Sequence, residues 1–123
     1  MAQILISESH EDVRRLLERM VTRLGHEAVI VGVPAPEQLR SADVLVVEPA
    51  APVGAVLAQA ASVAAPALPI ICASVTAPPC ELSVEFVAAL VKPFTAEQLS
   101  AAIDQALSTR QAANSAEISR RAA

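Results

Sequence analysis

The chain has 123 residues and a formal net charge of −4, which fits a single domain and argues against nonspecific nucleic-acid binding, since that binding requires a basic face. Hydrophobic residues make up 54% of it, although many are alanines, and it contains neither Trp nor Tyr. No apolar stretch reaches membrane-spanning length without a proline or a charge, and no basic segment precedes an apolar one at the N-terminus. We therefore expect a cytoplasmic domain, not bound to membrane, whose core consists of Val, Ile and Leu.

The first half of the chain alternates short apolar runs with helical spacing. Residues 2–7 are predicted to form a buried strand, and residues 11–24 follow with an apolar stripe on one face and arginines on the other. Gly25 ends this helix, and a second strand is predicted at 28–31. The two prolines within 32–40 leave room for about one helical turn, so the second helix is expected to be short.

The second half of the chain continues this alternation. The predicted elements are, in order, a strand at 44–47, a helix within 52–64, a strand at 70–73, a loop or single turn at 77–82 and a strand at 86–91. Thr95 opens the last helix, because Thr95 and Gln98 have the spacing of a capping box and Leu99 begins a buried stripe. The chain then becomes polar, so residues 109–123 are expected to be a helix extension, a linker or a disordered tail.

Polar side chains follow the predicted strands at the points where those strands end. Strands that alternate with crossovers form parallel sheets, and ligands collect at the carboxyl ends of such strands. Five side chains fall at these ends, namely Glu8, Ser9, Glu48, Ser74 and Lys92, the last being the only lysine in the chain. We therefore expect these side chains to share one edge of the sheet.

The sequence resembles the receiver domain of bacterial response regulators over residues 2–108. The strongest signal is the turn Lys92-Pro93-Phe94 behind an apolar run and ahead of a capped helix, together with the opening strand and amphipathic helix. The resemblance implies an α/β, flavodoxin-like fold, in which a doubly wound five-stranded parallel sheet has the order 2-1-3-4-5. Its second and fourth helices are expected to be shortened, and residues 1–108 to form the receiver-like domain.

The resemblance also assigns roles to the residues that bind the metal and accept the phosphoryl group. Glu8 and Ser9 occupy the positions of the two acids that hold a divalent ion in this family. Glu48 occupies the position of the phosphoacceptor aspartate. The acceptor and one acid are therefore replaced, which marks the chain as similar to an atypical pseudo-receiver.

The remaining family positions belong to the part of the site that responds to phosphorylation. Ser74 matches the Thr or Ser at the end of the fourth strand, and Ala89 matches the aromatic switch residue. Lys92 matches the lysine of the family motif. Since Ala89 has no ring that could swing, the resemblance implies a domain held in one conformation.

The chemistry of phosphoryl transfer explains why these substitutions matter. Transfer to a carboxylate requires an in-line acceptor and a metal, and magnesium is held here by two carboxylates at most, Glu8 and Glu48, with Ser9 a poor substitute. Glu48 is also one methylene longer than aspartate and occupies part of the space that a phosphoryl group needs. We therefore expect no catalytic residue and no cofactor, weak Mg²⁺ binding at most, and a direct ion pair between Glu48 and Lys92.

These inferences predict a non-catalytic, phosphorylation-independent signalling domain of the two-component type that acts through protein–protein contacts. The partner is another protein or a second copy, in a homodimer formed through roughly residues 76–108, with no direct contact to nucleic acid. The small apolar residues expected on that surface are Ala88, Ala89, Ala101 and Ala102.

Two alternatives remain open on the sequence. One is a working, metal-dependent phosphoacceptor that uses Glu48 with a metal on Glu8. The other is a small-molecule sensor whose pocket is rimmed by the Pro-rich loops 32–36 and 76–79.

The histidines and cysteines predict no second site. His10 is expected to be a solvated loop residue, and neither His10 nor His26 has neighbours with the spacing of metal ligands. Cys72 lies in an apolar strand and is expected to be a small buried hydrophobe, without a disulfide to Cys80.

Overall fold

The computed structural model describes residues 2–76 and 83–122, in which strands and helices alternate. The elements are, in chain order, β1 (Gln3–Ser7), α1 (Glu11–Arg23), β2 (Glu27–Ile30), α2 (Pro36–Ser41), β3 (Val44–Val47), α3 (Pro52–Ala64), β4 (Ile70–Ser74), β5 (Ala88–Val91) and α4 (Ala96–Ala122). The loop predicted at 77–82, with Cys80, lies outside the described residues. Among the helices described, none has both the length and the apolar character that crossing a membrane requires.

The five strands form one parallel sheet in the order β2-β1-β3-β4-β5. Ile4 of β1 lies beside Ala28 of β2 on one side and beside Val44 of β3 on the other. β3 and β4 are buried along their whole length, as central parallel strands covered on both faces should be. The predicted flavodoxin-like fold and strand order are confirmed, and the carboxyl ends of β1, β3, β4 and β5 meet at one edge.

Successive side chains of the central strands contribute alternately to two hydrophobic clusters, one on each face of the sheet. Ile4 and Ile6 point into the cluster that α1 and α4 cover, where Leu17, Leu99 and Ile103 are buried. Leu5 instead joins the cluster covered by α2 and α3, with a set of other apolar residues that includes Leu39, Leu45, Leu57 and Ala58. Both faces are therefore packed, which holds the strand ends in fixed relative positions.

The crossover helices differ in length as the resemblance implied. α2 has only six residues, and the described residues between β4 and β5 contain no helix. The capping box predicted for α4 is present: Thr95 N donates to Gln98 Oε1 at 2.8 Å, and Gln98 N donates to Thr95 Oγ1 at 3.1 Å. The crossover through α2 and the described part of the connection between β4 and β5 are thus the places where the fold is shortened.

Several predicted boundaries and surface positions are corrected by the structure. β5 begins at Ala88 and not at residue 86, because Phe86 packs beside the α2–α3 cluster instead of extending the strand. Ala102, expected on the surface of 76–108, is instead buried in the hydrophobic cluster that α1 and α4 cover. Leu16, expected in the buried stripe of α1, is 49% exposed, since it lies one position, about 100° around the helix, from buried Leu17.

The last helix continues without a break past residue 108. α4 runs to Ala122, and Arg110 Nε lies 3.6 Å from Asp43 Oδ1, just before β3. Asp43 Oδ2 in turn accepts a 2.7 Å hydrogen bond from Gln3 N at the start of β1. The helix is thus tied to the amino-terminal edge of the sheet, opposite the edge that carries Lys92.

The helix α3 approaches the sheet closely at its first turn. A Cβ on Gly54 would overlap the carbonyl oxygen of Glu48 and lie 3.3 Å from Val47 Cγ2. Glycine is therefore required where α3 begins, because any side chain would push the helix away from the end of β3. This close approach fixes the backbone that carries Glu48.

Candidate functional site

Lys92 occupies the centre of a charged cluster at the carboxyl edge of the sheet. Its backbone N donates a 2.9 Å hydrogen bond to Ser74 O, which extends the pairing of β5 with β4 by one residue. Its side chain is 15% exposed and reaches back across the strand ends. There Lys92 Nζ contacts both Glu8 Oε1 and Glu48 Oε2, so three strands converge on one ammonium group.

Of the two ion pairs that Lys92 forms, the one with Glu8 includes a directed hydrogen bond. Its Oε1 accepts a hydrogen bond from Lys92 Nζ, and its Oε2 accepts one from His10 N at 3.1 Å. The Glu8 side chain is only 3% exposed. Burial of a carboxylate is tolerated here because both oxygens have donors, one of them charged.

Glu48 divides its two oxygens between different partners. Oε1 accepts a 2.8 Å hydrogen bond from Ser74 Oγ, whereas Oε2 lies 3.1 Å from Lys92 Nζ. Oε2 is buried and accepts no properly oriented hydrogen bond from the described residues. The Lys92–Glu48 contact is therefore a charge interaction at short range, with the directed hydrogen bond of Lys92 given to Glu8.

Ser74 links the carboxylate to the loop that follows β4. Its side chain is almost fully buried, donates to Glu48 and accepts from Thr76 N at 3.4 Å. The Ser74 hydroxyl thus links the Glu48 carboxylate to the backbone N–H of Thr76. This chain of contacts connects β3 to the segment between β4 and β5.

The electrostatics of the cluster favour a charged lysine. Burial by itself lowers the pKa of Lys92, but the hydrogen bond to Glu8 and the close negative charges of Glu8 and Glu48 outweigh burial and raise that pKa. Two carboxylates and one ammonium give the cluster a formal charge of −1. The negative excess opposes a second anion such as a phosphate.

Cys72, two residues before Ser74 on β4, lies close enough to Glu48 and Lys92 for their charges to act on its thiol. Burial raises the pKa of its thiol to about 11, the negative charge of Glu48 adds to this, and Lys92 opposes it. The predicted burial of Cys72 is confirmed, and the thiol stays protonated at neutral pH. The predicted lack of a disulfide to Cys80 involves a residue outside the described part of the chain.

Two sequence-predicted positions do not join the cluster. Ser9 is exposed and takes no part in the hydrogen bonds described around Lys92. Ala89 is exposed on β5 and pairs in register with Cys72, so it contributes no side chain to the strand ends. Of the predicted site residues, all of which belong to the described part of the chain, the structure brings together Glu8, Glu48, Ser74 and Lys92.

The residues that could hold a metal are Glu8 and Glu48, and they fit this role poorly. In the described residues no group of three or more His, Cys, Asp or Glu side chains is arranged to hold a metal ion. Both carboxylates already share the ammonium of Lys92, and exposed Ser9 supplies no third. A magnesium ion would have to displace Lys92 from at least one of them.

Two cavities bear on the predicted small-molecule pocket, one beside the cluster and one away from it. One of about 210 Å³ opens beside it and is lined by residues that include Glu8, Ser9, Arg14 and Glu48. An apolar one of about 340 Å³ lies between α2 and α3 and uses part of the loop 32–36 predicted as a pocket rim. Of the second predicted rim, 76–79, only Thr76 belongs to the described residues.

Sequence reasoning missed the role of Gly54, although its place in the first turn of a helix was a usable signal. It also missed that Glu8, more than Glu48, holds the ammonium of Lys92. Both carboxylates end apolar strands, so their relative distances to Lys92 follow only from strand order and side-chain direction.

Comparison with known proteins gives a match in structure alone, since neither a family model nor a curated protein matches the chain. NtrX from Brucella abortus, solved in complex with ADP, superposes with a TM-score of 0.80 at 19% identity. The match covers 97% of this chain and 29% of NtrX, so the chain spans less than a third of that protein.

Shorter proteins match over almost their full length. The chemotaxis protein CheY4 of Vibrio cholerae has a TM-score of 0.74 at 23% identity, covering 87% of this chain and 99% of that one. The receiver domain of sensor histidine kinase PA1611 from Pseudomonas aeruginosa PAO1, solved with a magnesium ion in its active site cleft, has a TM-score of 0.73 at 21% identity, covering 87% and 98%. The chain therefore has the fold of the response-regulator receiver domains.

Proposed function

We propose that this domain is a non-catalytic, receiver-like signalling module that acts through protein–protein contacts and works without phosphorylation. The observation that carries the proposal is the position of Glu48. Its carboxylate contacts both Ser74 Oγ, at 2.8 Å, and Lys92 Nζ, at 3.1 Å. A carboxylate committed to both groups leaves the phosphoryl position occupied by the side chain itself.

The chemistry of the site supports the loss of phosphoryl transfer. In-line transfer requires a free acceptor oxygen and a metal that gathers the negative charge of the phosphoryl group. Glu48 engages Lys92, Glu8 engages the same ammonium, and Ser9 is exposed. A displacement of about 1 Å from the reactive geometry costs on the order of 10²-fold in rate, and the extra methylene of glutamate exceeds that displacement.

The same contacts support a fixed signalling state. Glu48 places a negative group where it holds Ser74, and Ser74 accepts a hydrogen bond from Thr76 N. The carboxylate thus acts as a permanent stand-in for a phosphorylated aspartate. Since Ala89 has no ring to reorient, the β4–β5 edge keeps one conformation and presents one surface.

The proposed surface for a protein partner lies on β5 and α4, within residues 76–108. Val91 is 60% exposed on β5, and Ala89 of β5 and Ala101 of α4 are exposed as well. This part of the surface lies next to the Ser74–Glu48 contact and combines apolar exposure with few charges. A partner that reads the state of the site would dock there.

A metal-dependent phosphoacceptor is the second candidate, favoured by one observation. Glu48 Oε2 is buried and accepts no hydrogen bond from the described residues, so it retains a free lone pair. For this function Lys92 would have to move from Glu8 or Glu48 to admit a metal.

Phosphodonor treatment separates the two candidates. The chain is incubated with acetyl phosphate and Mg²⁺ and its intact mass is measured, alongside a variant that combines Ser9→Asp with Glu48→Asp. We expect no phosphoryl adduct on the unaltered chain, and an adduct on the variant in which the acids are restored. An adduct on the unaltered chain that disappears in Glu48→Gln would establish the phosphoacceptor instead.

A further inference from the structure

The helix α3 exposes an apolar seam that the fold leaves uncovered. Its inner face consists of Gly54, Leu57, Ala58 and Ala61, which pack on the sheet. Its outer face presents Val53, Val56 and Val63, which are 58%, 67% and 83% exposed. Of the nine large apolar side chains that are exposed in the described residues, three lie on this one helix.

The spacing of this seam is that of a helix that pairs with another helix. Val53, Val56, Ala60 and Val63 are separated by three, four and three residues, and all four are exposed. At about 100° per residue these positions fall within about 80° of one another around the helix. Apolar side chains at alternating three- and four-residue intervals form the narrow contact stripe of paired helices.

We infer that α3 pairs with α3 of a second copy of this chain in an antiparallel arrangement. The twofold axis crosses the outer seam at the height of Ala58 along the helix. The seam is palindromic about that position: Val53 and Val63 are equidistant from it, and so are Val56 and Ala60. In a twofold interface residue i meets residue j and j meets i. Val53 therefore faces Val63 of the second copy, and Val56 faces the small Ala60.

The charge pattern favours a second copy as the occupant. Between Glu48 and Glu81 the sequence contains no Asp, Glu, Lys, Arg or His, although the chain has a net charge of −4. Two copies that meet through α3 bring no like charges into contact, whereas the outer face of α1 is rich in arginine and glutamate. The uncharged face is thus the one through which identical chains approach at least electrostatic cost.

A neighbouring groove extends the contact. The apolar cavity of about 340 Å³ is lined by Val33, Pro34 and Leu39 on one side and by Val53 and Val56 on the other. Since Val63 of the second copy is placed against Val53, its side chain reaches the edge of this groove. A 13-residue helix and one loop fall short of the ~800 Å² per partner of a standard interface, so the dimer is weak and reversible.

Sedimentation equilibrium of the full chain between about 10 and about 500 µM tests the pairing, with an expected dissociation constant on the order of 100 µM. Val56→Glu is expected to raise that constant at least about tenfold, because it buries a charge in the seam. The matched control is Ile118→Glu, an apolar residue of α4 that is as exposed as Val56 and lies outside both α3 and residues 76–108, and it is expected to leave the constant unchanged. A monomer at all concentrations, or equal loss in both variants, would overturn the inference.

Cysteine crosslinking tests the antiparallel register directly and does not depend on a charged variant. In a chain carrying Cys72→Ala and Cys80→Ser, the pair Val56→Cys with Ala60→Cys is expected to give an oxidised dimer. Val56→Cys alone is expected to stay monomeric, because it faces Ala60 of the second copy. Crosslinking by Val56→Cys alone would mean a parallel arrangement and would contradict the proposed axis, as would failure of the paired cysteines to crosslink.

Discussion

Ser74 Oγ donates a 2.8 Å hydrogen bond to Glu48 Oε1, joining the ends of two adjacent strands through side chains alone. The acceptor is the same carboxylate whose other oxygen lies 3.1 Å from Lys92 Nζ. One glutamate therefore bridges β4 and the residue after β5. Because all three residues are mostly buried, the bridge is part of the stability of the domain as well as of its proposed signalling state.

Replacing Lys92 by methionine is expected to destabilise the chain by about 3 kcal/mol at neutral pH, because it leaves two buried carboxylates without their shared cation. Urea unfolding at about pH 7.5 measures the loss.

The control for this prediction is an exposed ion pair. Arg15 Nη2 lies 2.7 Å from Glu11 Oε1 on the outer face of α1, and both side chains are largely exposed. Arg15→Ala is expected to cost less than about 1 kcal/mol, because solvent screens such pairs. If the two variants lost similar stability, the cluster around Lys92 would carry no special energetic role.

The position of the cluster could be predicted from the sequence because the sheet is parallel. Each of Glu8, Glu48 and Lys92 follows an apolar run, and parallel strands deliver their carboxyl ends to one edge. The contact between Glu48 and Lys92 that this argument predicted is present. That Lys92 directs its hydrogen bond to Glu8 and not to Glu48 was not predictable, since it depends on the directions of the side chains at the strand ends.

Other features could not be inferred because the sequence pattern is the same for different structures. Phe86 is apolar whether it lies in a strand or packs from a loop, so the start of β5 was placed two residues early. In α3 apolar residues occur on both faces, with Leu57, Ala58 and Ala61 buried and the valines exposed, and the close approach at Gly54 marks the face that packs on the sheet. Periodicity alone therefore missed the exposed seam.

The raised pKa of Lys92 predicts a stability loss at alkaline pH. A lysine whose pKa is higher in the folded than in the unfolded chain stabilises the fold below the unfolded value, about 10.4, and this contribution disappears as pH rises through the folded value. In Glu8→Gln with Glu48→Gln, burial of Lys92 acts alone and the sign reverses.

Urea midpoints measured from about pH 9 to about pH 11.5 compare the two chains. Both carry Cys72→Ala, so that the ionisation of this thiol does not contribute. We expect the midpoint to fall with pH in the chain that retains the glutamates and not in the double glutamine variant. Parallel curves would show that the carboxylates do not control the ionisation of Lys92.

Gly54→Ala is expected to destabilise the chain by about 2 kcal/mol or more, because its Cβ would overlap the carbonyl oxygen of Glu48 and backbone cannot move aside as a side chain can. Gly32→Ala is the matched control, since a Cβ there has no neighbour within 4 Å among the described residues, and its effect should stay within about 0.5 kcal/mol. Chemical denaturation measures both variants, and equal effects would contradict the close approach of α3 to β3.

Cys72 is expected to resist thiol reagents in the folded chain. Its pKa of about 11 leaves a thiolate fraction of about 0.1% at about pH 8, and its side chain is buried beneath the Glu48–Lys92 contact. In a chain carrying Cys80→Ser, alkylation at that pH should be at least about 100-fold slower than in urea.

Lys92→Met removes the one charge that lowers the thiol pKa, but it also loosens the fold. Faster alkylation in this variant would therefore show that packing around Lys92 protects the thiol, whereas slower alkylation would show that the thiol pKa, raised further by loss of the Lys92 charge, controls the reactivity.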